Sequence, residues 1–395
     1  MIYDYLIIGC GIAGVASAET ARANDPNGTI AIIGEEQDMI YSRVLLPHYI
    51  KGKLDREKLF LRKRKDFESR KIDLILGKKL IAIDTKNKTA SLSDGTNIAY
   101  KRIIIATGGR VKKIGIKGSD KKNIFYLQTI SDADAVKNAL PKISRAAVIG
   151  GGFIALEFLD IFSSVKIPVA LICRSRGFFS GALEETGAKL LEKIFIKRGV
   201  EPIFNDTATE FLGKEEISGV LTVNGKKISC DAVGLGIGLE RNTSFLSGSG
   251  IKTRMGILTD EYLFAEKNSL AAGDVAEYYD RSIEDWHLTG NWNSAFLQGK
   301  AAGANASGQK NEFKSITSYS TANLGFNIIF MGETKKFSKS ISKIDEAKEK
   351  YERLFLLNDR IIGAVLINMP EERQKITAFI EKKTVVKNFD ELDKL

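Results

Sequence analysis

Two glycine-rich stretches hold the residues whose type and spacing could do chemistry. Residues 6–14 read LIIGCGIAG, and residues 148–157 read VIGGGFIALE. In the first, Gly9 and Gly11 permit a tight turn and the close approach of a pyrophosphate, and Gly14 lets a helix pack hard on a strand. The N-terminal end of that helix favours an anion. Cys10, between the glycines, reads as a small packing residue. In the second stretch Gly150, Gly152 and Ala155 hold the corresponding places. Such a loop is informative only between a strand and a helix, with an acid ending the next strand. The first loop meets both conditions, because "TIAIIG" ends at Glu35 and Glu36, where an acid suits ribose hydroxyls. After the second loop, "VALIC" ends at Cys173, with Arg174 and Arg176 just beyond. A thiol cannot bind two hydroxyls as a carboxylate does, whereas guanidinium groups could clamp a 2′-phosphate. The pattern predicts an internal duplication that holds two nucleotides.

The flanking segments can position these loops. "YDYLII" is a β-rich strand and "VASAETARAN" is helical. "AAVI", "LEFLDIFSSV" and "VALIC" repeat the strand–helix–strand order. A buried strand, "RIIIATGGR", runs into Ala106, Thr107 and Gly108, and "SLAAGDVAEYY" runs into Gly273 and Asp274. "WNSAFLQGKAAGANASG" reads as a helix rich in small residues, suited to close packing. In the tail, "YERLFLLNDRIIGAVLI" predicts two strands around an Asn358-Asp359 turn. A helix with Pro370 in its first turn follows. A separate α+β unit is expected from about residue 311.

Composition sets the bounds. A chain of 395 residues with 44% hydrophobic content and 36 glycines suits an α/β protein of two or three domains. The run at the Met1 end is too short for a signal peptide or a span, and a cytoplasmic protein is the expectation. Three scattered cysteines and two isolated histidines suggest neither a disulfide framework nor a metal site. The net charge of +10 could attract nucleic acid, an anionic membrane or an acidic protein, or simply reflect a lysine-rich proteome. No motif supports nucleic-acid binding. Arg62-Lys63-Arg64-Lys65 reads as a solvated helix face.

Taken together, these segments resemble the FAD-dependent pyridine nucleotide–disulfide oxidoreductase superfamily over nearly the whole chain. The resemblance implies two Rossmann-like α/β domains and a small α+β tail. The FAD domain would comprise residues 1–110 and 236–310, the inserted NAD(P)H domain 111–235, and the tail 311–395. Gly9, Gly11, Gly14 and Glu35 would hold the ADP half of FAD. Ala106 to Gly108 would close over it, and Asp274 would reach the ribitol. The second loop, Gly150 to Glu157, would bind NAD(P)H. Ile12, Ala13, Glu36, Arg43, Leu80, Arg174, Arg176, Gly236 and Gly273 complete the expected cofactor contacts. Phe153 stands where relatives gate the nicotinamide, and Glu157 lies one helical turn on; these two are the expected catalytic positions. No metal is expected.

The departures from the family pattern narrow the branch. Disulfide reductases carry cysteines just after the first ribose acid, but here "MIYSRVLLPHYIKG" has none, and Ser42 stands near the place of the single thiol of some relatives. Serine cannot form a disulfide or a sulfenic acid. The stretch is similar to rubredoxin and ferredoxin reductases and to the flavoprotein portion of NAD(P)H nitrite reductases. That similarity implies electron delivery to a small acidic redox protein, from a monomer or homodimer. An NAD(P)H oxidase and a non-catalytic redox-sensing flavoprotein are the alternatives. His48 reads as a surface residue.

Overall fold

The computed structural model describes residues 2–281, 283–387 and 389–392. The chain folds into two compact units. The first comprises Met1–Ser42, Arg56–Arg110 and Glu240–Thr317; the second comprises Arg43–Asp55, Val111–Leu239 and Ser318–Leu395.

The first unit is built on a sheet in the order Phe264–Glu266, Ser269–Ala271, Asn97–Ile105, Ile2–Ile8, Ile30–Gly34, Ile72–Leu76. From Ser269–Ala271 onward all pairings along this path are parallel. Its central strands carry buried apolar runs at residues 6–8, 30–33 and 103–105, as two covered faces require. Ile7, Ile32 and Ile104 are fully buried on one face and Leu6, Ile103 and Ile105 on the other. Each such side chain stabilises the fold by about 1.5–3 kcal/mol.

The helix Ile12–Asn24 follows the first loop, and Trp292–Ala306 lies along it. A Cβ at Gly299 or Gly303 would sit 2.3 Å from the backbone oxygen of Ala13 or Ser17. The Ser17 hydroxyl donates to the carbonyls of both Ala13 (2.8 Å) and Gly299 (3.0 Å). That close approach accounts for the small residues of the later helix.

The second unit repeats the plan. Its sheet is parallel throughout, in the order Val200–Phe204, Val169–Cys173, Ala146–Gly150, Ala232–Gly236, Ile124–Phe125. The loop strand again lies between the strand that follows it and a late-returning strand. The helix after the second loop spans Phe153–Ser164 and begins at the glycine loop itself, three residues before the apolar run starting at Leu156 suggests.

The tail adds a five-stranded antiparallel sheet in the order Ser318–Asn323, Phe326–Gly332, Arg360–Ile367, Lys350–Leu357, Lys339–Asp345. Asn358 and Asp359 both adopt left-handed conformations, as a type I′ hairpin turn demands. The short helix Leu46–Ile50 also belongs to this unit. Tyr49 donates a 2.6 Å hydrogen bond to Asp134, and Lys137 stands over the Tyr49 ring.

Of the basic run, Lys63, Arg64 and Lys65 are exposed as expected, with Arg64 and Lys65 in the short helix Arg64–Glu68. Arg62 departs from that reading: its guanidinium binds the Glu19 carboxylate at 2.8 Å.

Candidate functional site

In the first unit Gly9 has φ +115°, and a Cβ there would lie 2.2 Å from the Ala106 carbonyl oxygen. The turn therefore exists only with glycine, and it seats the loop against the ATG segment. Gly11 caps the following helix without a side chain, and the first turn has no acid. A Cβ on Gly11 or Gly108 would project into open space. The N-terminal N–H groups are thus left to a ligand, and the cradle suits a pyrophosphate.

Glu35 directly follows strand Ile30–Gly34 and forms an exposed ion pair with Arg110. Glu36 accepts a 2.6 Å bond from the Tyr41 hydroxyl. Burial, reinforced by Glu36, pushes the Cys10 thiol up to about 12, which agrees with a packing role. Ala106 is buried and Thr107 exposed. The Leu80 side chain lies in the core with Ile8 and Ile33. Ser42 is buried.

Gly273 takes φ +81°, and its N–H donates to Gln298 Oε1 at 2.8 Å. Gln298 Nε2 donates to the Thr289 and Ser294 hydroxyls, both at 3.0 Å. Asn291 caps the same helix through the Ser294 N–H at 2.8 Å. Arg241 Nε donates to the Asp274 carbonyl at 2.9 Å. One buried polar network thus fixes both the Asp274 turn and the helix Trp292–Ala306. Sequence reasoning missed Gln298 and Arg241, because bonds made by single side chains leave no motif or period in the sequence.

The second cradle repeats the first. Gly150 has φ +137°, and its missing Cβ would lie 2.3 Å from the Gly236 carbonyl oxygen. A Cβ on Gly236 would in turn meet Ala155 N at 2.4 Å. The end of strand Ala232–Gly236 thus replaces the ATG segment as the seat of the loop. Gly152 caps its helix without a side chain, again with no acid in the first turn. Arg174 and Arg176 are exposed beyond strand Val169–Cys173. The Cys173 thiol is buried at hydrogen-bond distance from the Ser175 hydroxyl.

Phe153 stands in an aromatic cluster, its ring centroid 4.0 Å from Tyr319, 4.8 Å from Phe179 and 5.0 Å from Phe330. Burial pushes the Glu157 carboxyl up to about 8; Lys51 opposes this and Asp160 adds to it. A carboxyl shifted in this direction holds its proton to higher pH than an exposed glutamate and can donate a hydrogen bond. Burial, and then Glu157, raise the Tyr319 phenol above its usual range. Lys51 forms a largely buried ion pair with Asp160, whose other oxygen accepts from Leu324 N at 2.8 Å. Lys51 was also missed, since nothing local distinguishes it from other lysines. Arg43 falls in the second unit, in a helical turn, and His48 is exposed.

Among the described residues no group of three or more His, Cys, Asp or Glu side chains could hold a metal ion. The three cysteines are unpaired. No described helix is long and apolar enough to cross a membrane.

The family model "Pyridine nucleotide-disulphide oxidoreductase" matches residues 3–299. The chain belongs to this family. A second model, "Rubredoxin NAD+ reductase C-terminal domain", matches residues 323–384. The chain is 28% identical to a nitrite reductase [NAD(P)H] of Bacillus subtilis over 96% of its own length, and spans about half of that protein (47%). It is 27% identical to rhodocoxin reductase of Rhodococcus erythropolis, covering 93% of this chain and 87% of the relative. The solved covalent putidaredoxin reductase–putidaredoxin complex matches with a TM-score of 0.91 at 24% identity, covering 96% of this chain and 93% of the other. At that identity the likeness speaks to the fold.

Proposed function

We propose that the chain is an NAD(P)H-dependent FAD oxidoreductase that reduces a separate small acidic redox protein of the rubredoxin or ferredoxin type, without an internal disulfide. The observation that carries this reading is the pair of matching glycine cradles. Each sits on the parallel strands of its own sheet, and each has a helix N-terminus with neither a capping side chain nor an acid. The tail's match to the rubredoxin reductase C-terminal domain points to the class of acceptor. Ser42 leaves no thiol to relay electrons internally.

Bound FAD would take a hydride from the reduced nicotinamide and pass the electrons on. The chain's own residues bind and orient. Gly11 to Gly14 and the N–H groups there receive the FAD pyrophosphate, and Glu35 or Glu36 receives the ribose, with Glu35 leaving Arg110. The Asp274 carboxylate meets the ribitol, its turn held by Gln298 and Arg241. Gly150 to Ala155 receive the donor's pyrophosphate. Phe153 and Glu157 order the nicotinamide, Glu157 as a hydrogen-bond donor. We place this chemistry in the cytoplasm, where reduced nicotinamide nucleotides are held.

Purified protein should be yellow, with FAD released on denaturation, and Asp274→Ala should lose most of its flavin. Protein that stays colourless after incubation with FAD would end the reading.

A further inference from the structure

We infer that the loop from Arg174 to Leu183 couples the two ends of the bound donor, with Phe179 as the positioning residue that transmits adenine-end binding to Phe153. This rests on the proposal that the second unit holds NAD(P)H with its nicotinamide at Phe153.

Phe179 is a bulky residue in a left-handed backbone conformation, φ +52°. Such a residue is uncommon, and it persists only where its surroundings over-determine it. Here several contacts do so. Its N–H donates to the Gly151 carbonyl at 3.0 Å, within the glycine loop itself. Its carbonyl accepts from the N–H groups of Ala182 and Leu183 at 2.8 and 2.9 Å. Its ring lies 4.8 Å from Phe153 and 5.0 Å from Phe330. Beyond it, the buried Arg353 guanidinium donates to the Ala182 carbonyl at 3.0 Å.

The loop is therefore pinned at its Phe179 end, and at its start the Ser175 carbonyl accepts from the Asn205 N–H at 3.1 Å and the Ser175 hydroxyl donates to the Gly177 carbonyl at 3.0 Å, while the Arg174 and Arg176 side chains are exposed beyond the strand. Only two residues separate Arg176 from Phe179. A backbone shift that brings the arginines toward the adenine ribose would be passed along so short a span to the bond to Gly151 or the ring contact with Phe153. Phe153 is packed among Tyr319, Phe330 and Phe179, and it has to leave part of that cluster to admit a nicotinamide ring. Loosening Phe179 makes that departure easier, so adenine-end binding prepares the nicotinamide pocket. Linkage makes the effect reciprocal: nicotinamide-end binding must tighten the adenine end by the same factor.

Fragments of the donor test this directly. Calorimetry on the FAD-loaded protein measures binding of 2′,5′-ADP and of 5′-ADP, and the tighter fragment is then titrated with and without saturating oxidised nicotinamide mononucleotide. The wild type is expected to bind it at least about five-fold more tightly with the mononucleotide present. Phe179→Tyr keeps the ring and should keep the coupling. Phe179→Gly removes the ring, which loses burial but suits the left-handed backbone; with its fold checked by a melting curve, it should bind the adenine fragment but lose the coupling. Wild-type affinities that agree with and without the mononucleotide overturn the inference, as does full coupling in Phe179→Gly. If neither adenine fragment binds, the donor reading of the second unit fails and takes the inference with it.

Discussion

Glu157 shows how one side chain's surroundings become a measurable property. Its carboxyl ordinarily titrates near 4.5, and burial raises it to about 8. Between those values the folded chain keeps a proton that the unfolded chain has released. Stability on this account is complete at low pH and falls as pH rises through that window. Glutamine has no proton to lose, so Glu157→Gln should melt less pH-dependently than the wild type. From pH 5 to pH 8.5 the wild-type melting temperature should drop by several degrees more than that of the variant. Parallel melting curves across that range would show that Glu157 ionises freely in the folded protein. The two arginines carry a second prediction. With Cys173 buried where an acid would bind ribose hydroxyls, kcat/KM for NADPH should equal or exceed that for NADH. Arg174→Ala plus Arg176→Ala should lower the NADPH value about tenfold or more, as the loss of charge-assisted bonds to a 2′-phosphate would. A strong preference for NADH, unchanged by the double substitution, would leave both arginines as surface charge.

Among the elements, the helix Trp292–Ala306 combines two demands. Gly299 and Gly303 bring it against the helix of the first loop, and Gln298 ties it to the Gly273–Asp274 turn. Gln298→Leu removes the acceptor of the buried Gly273 N–H, at a cost of about 1–3 kcal/mol. The Thr289 and Ser294 hydroxyls lie 2.8 Å apart and keep each other as partners. The variant should therefore fold, melt several degrees lower and bind FAD about tenfold more weakly, a loss of about 1.4 kcal/mol. FAD titration of the apoprotein measures the second effect, and unchanged affinity would make Gln298 a packing residue. The contrast with the glycine loops explains what the sequence makes legible. The loops are local: turn, helix start and next strand end lie within about thirty residues, so spacing alone exposes them. The Gln298 network joins residues from Gly273 to Gln298 through side-chain bonds that leave no period. Lys51 reaches Asp160 across more than a hundred residues. Phe179 reads as one more apolar residue until its backbone conformation is seen.

At the scale of the whole chain, the excess of 59 basic over 49 acidic residues is a property that no single contact explains. Much of the basic charge is already paired, for example Lys193 with Glu346, Lys197 with Glu349 and Lys350 with Glu371, all at 2.6 Å. Exposed pairs of this kind add little stability. The charge that matters for association is the surplus, and its field reaches beyond the surface to steer an oppositely charged partner. That reach is set by salt: the Debye length is ~10 Å at 0.1 M and ~3 Å at 1 M. Turnover with an acidic rubredoxin or ferredoxin, measured as kcat/KM, should therefore fall by about tenfold or more as salt rises from ~0.01 M to ~1 M. An uncharged quinone acceptor controls for damage to the enzyme itself, because its encounter has no charge to screen; its turnover should stay level over the same range. A fall with both acceptors would place the salt effect on the flavin or the donor. Level turnover with the acidic carrier would show that the +10 surplus plays no part in docking, and that recognition of the carrier rests on contacts closer than a Debye length.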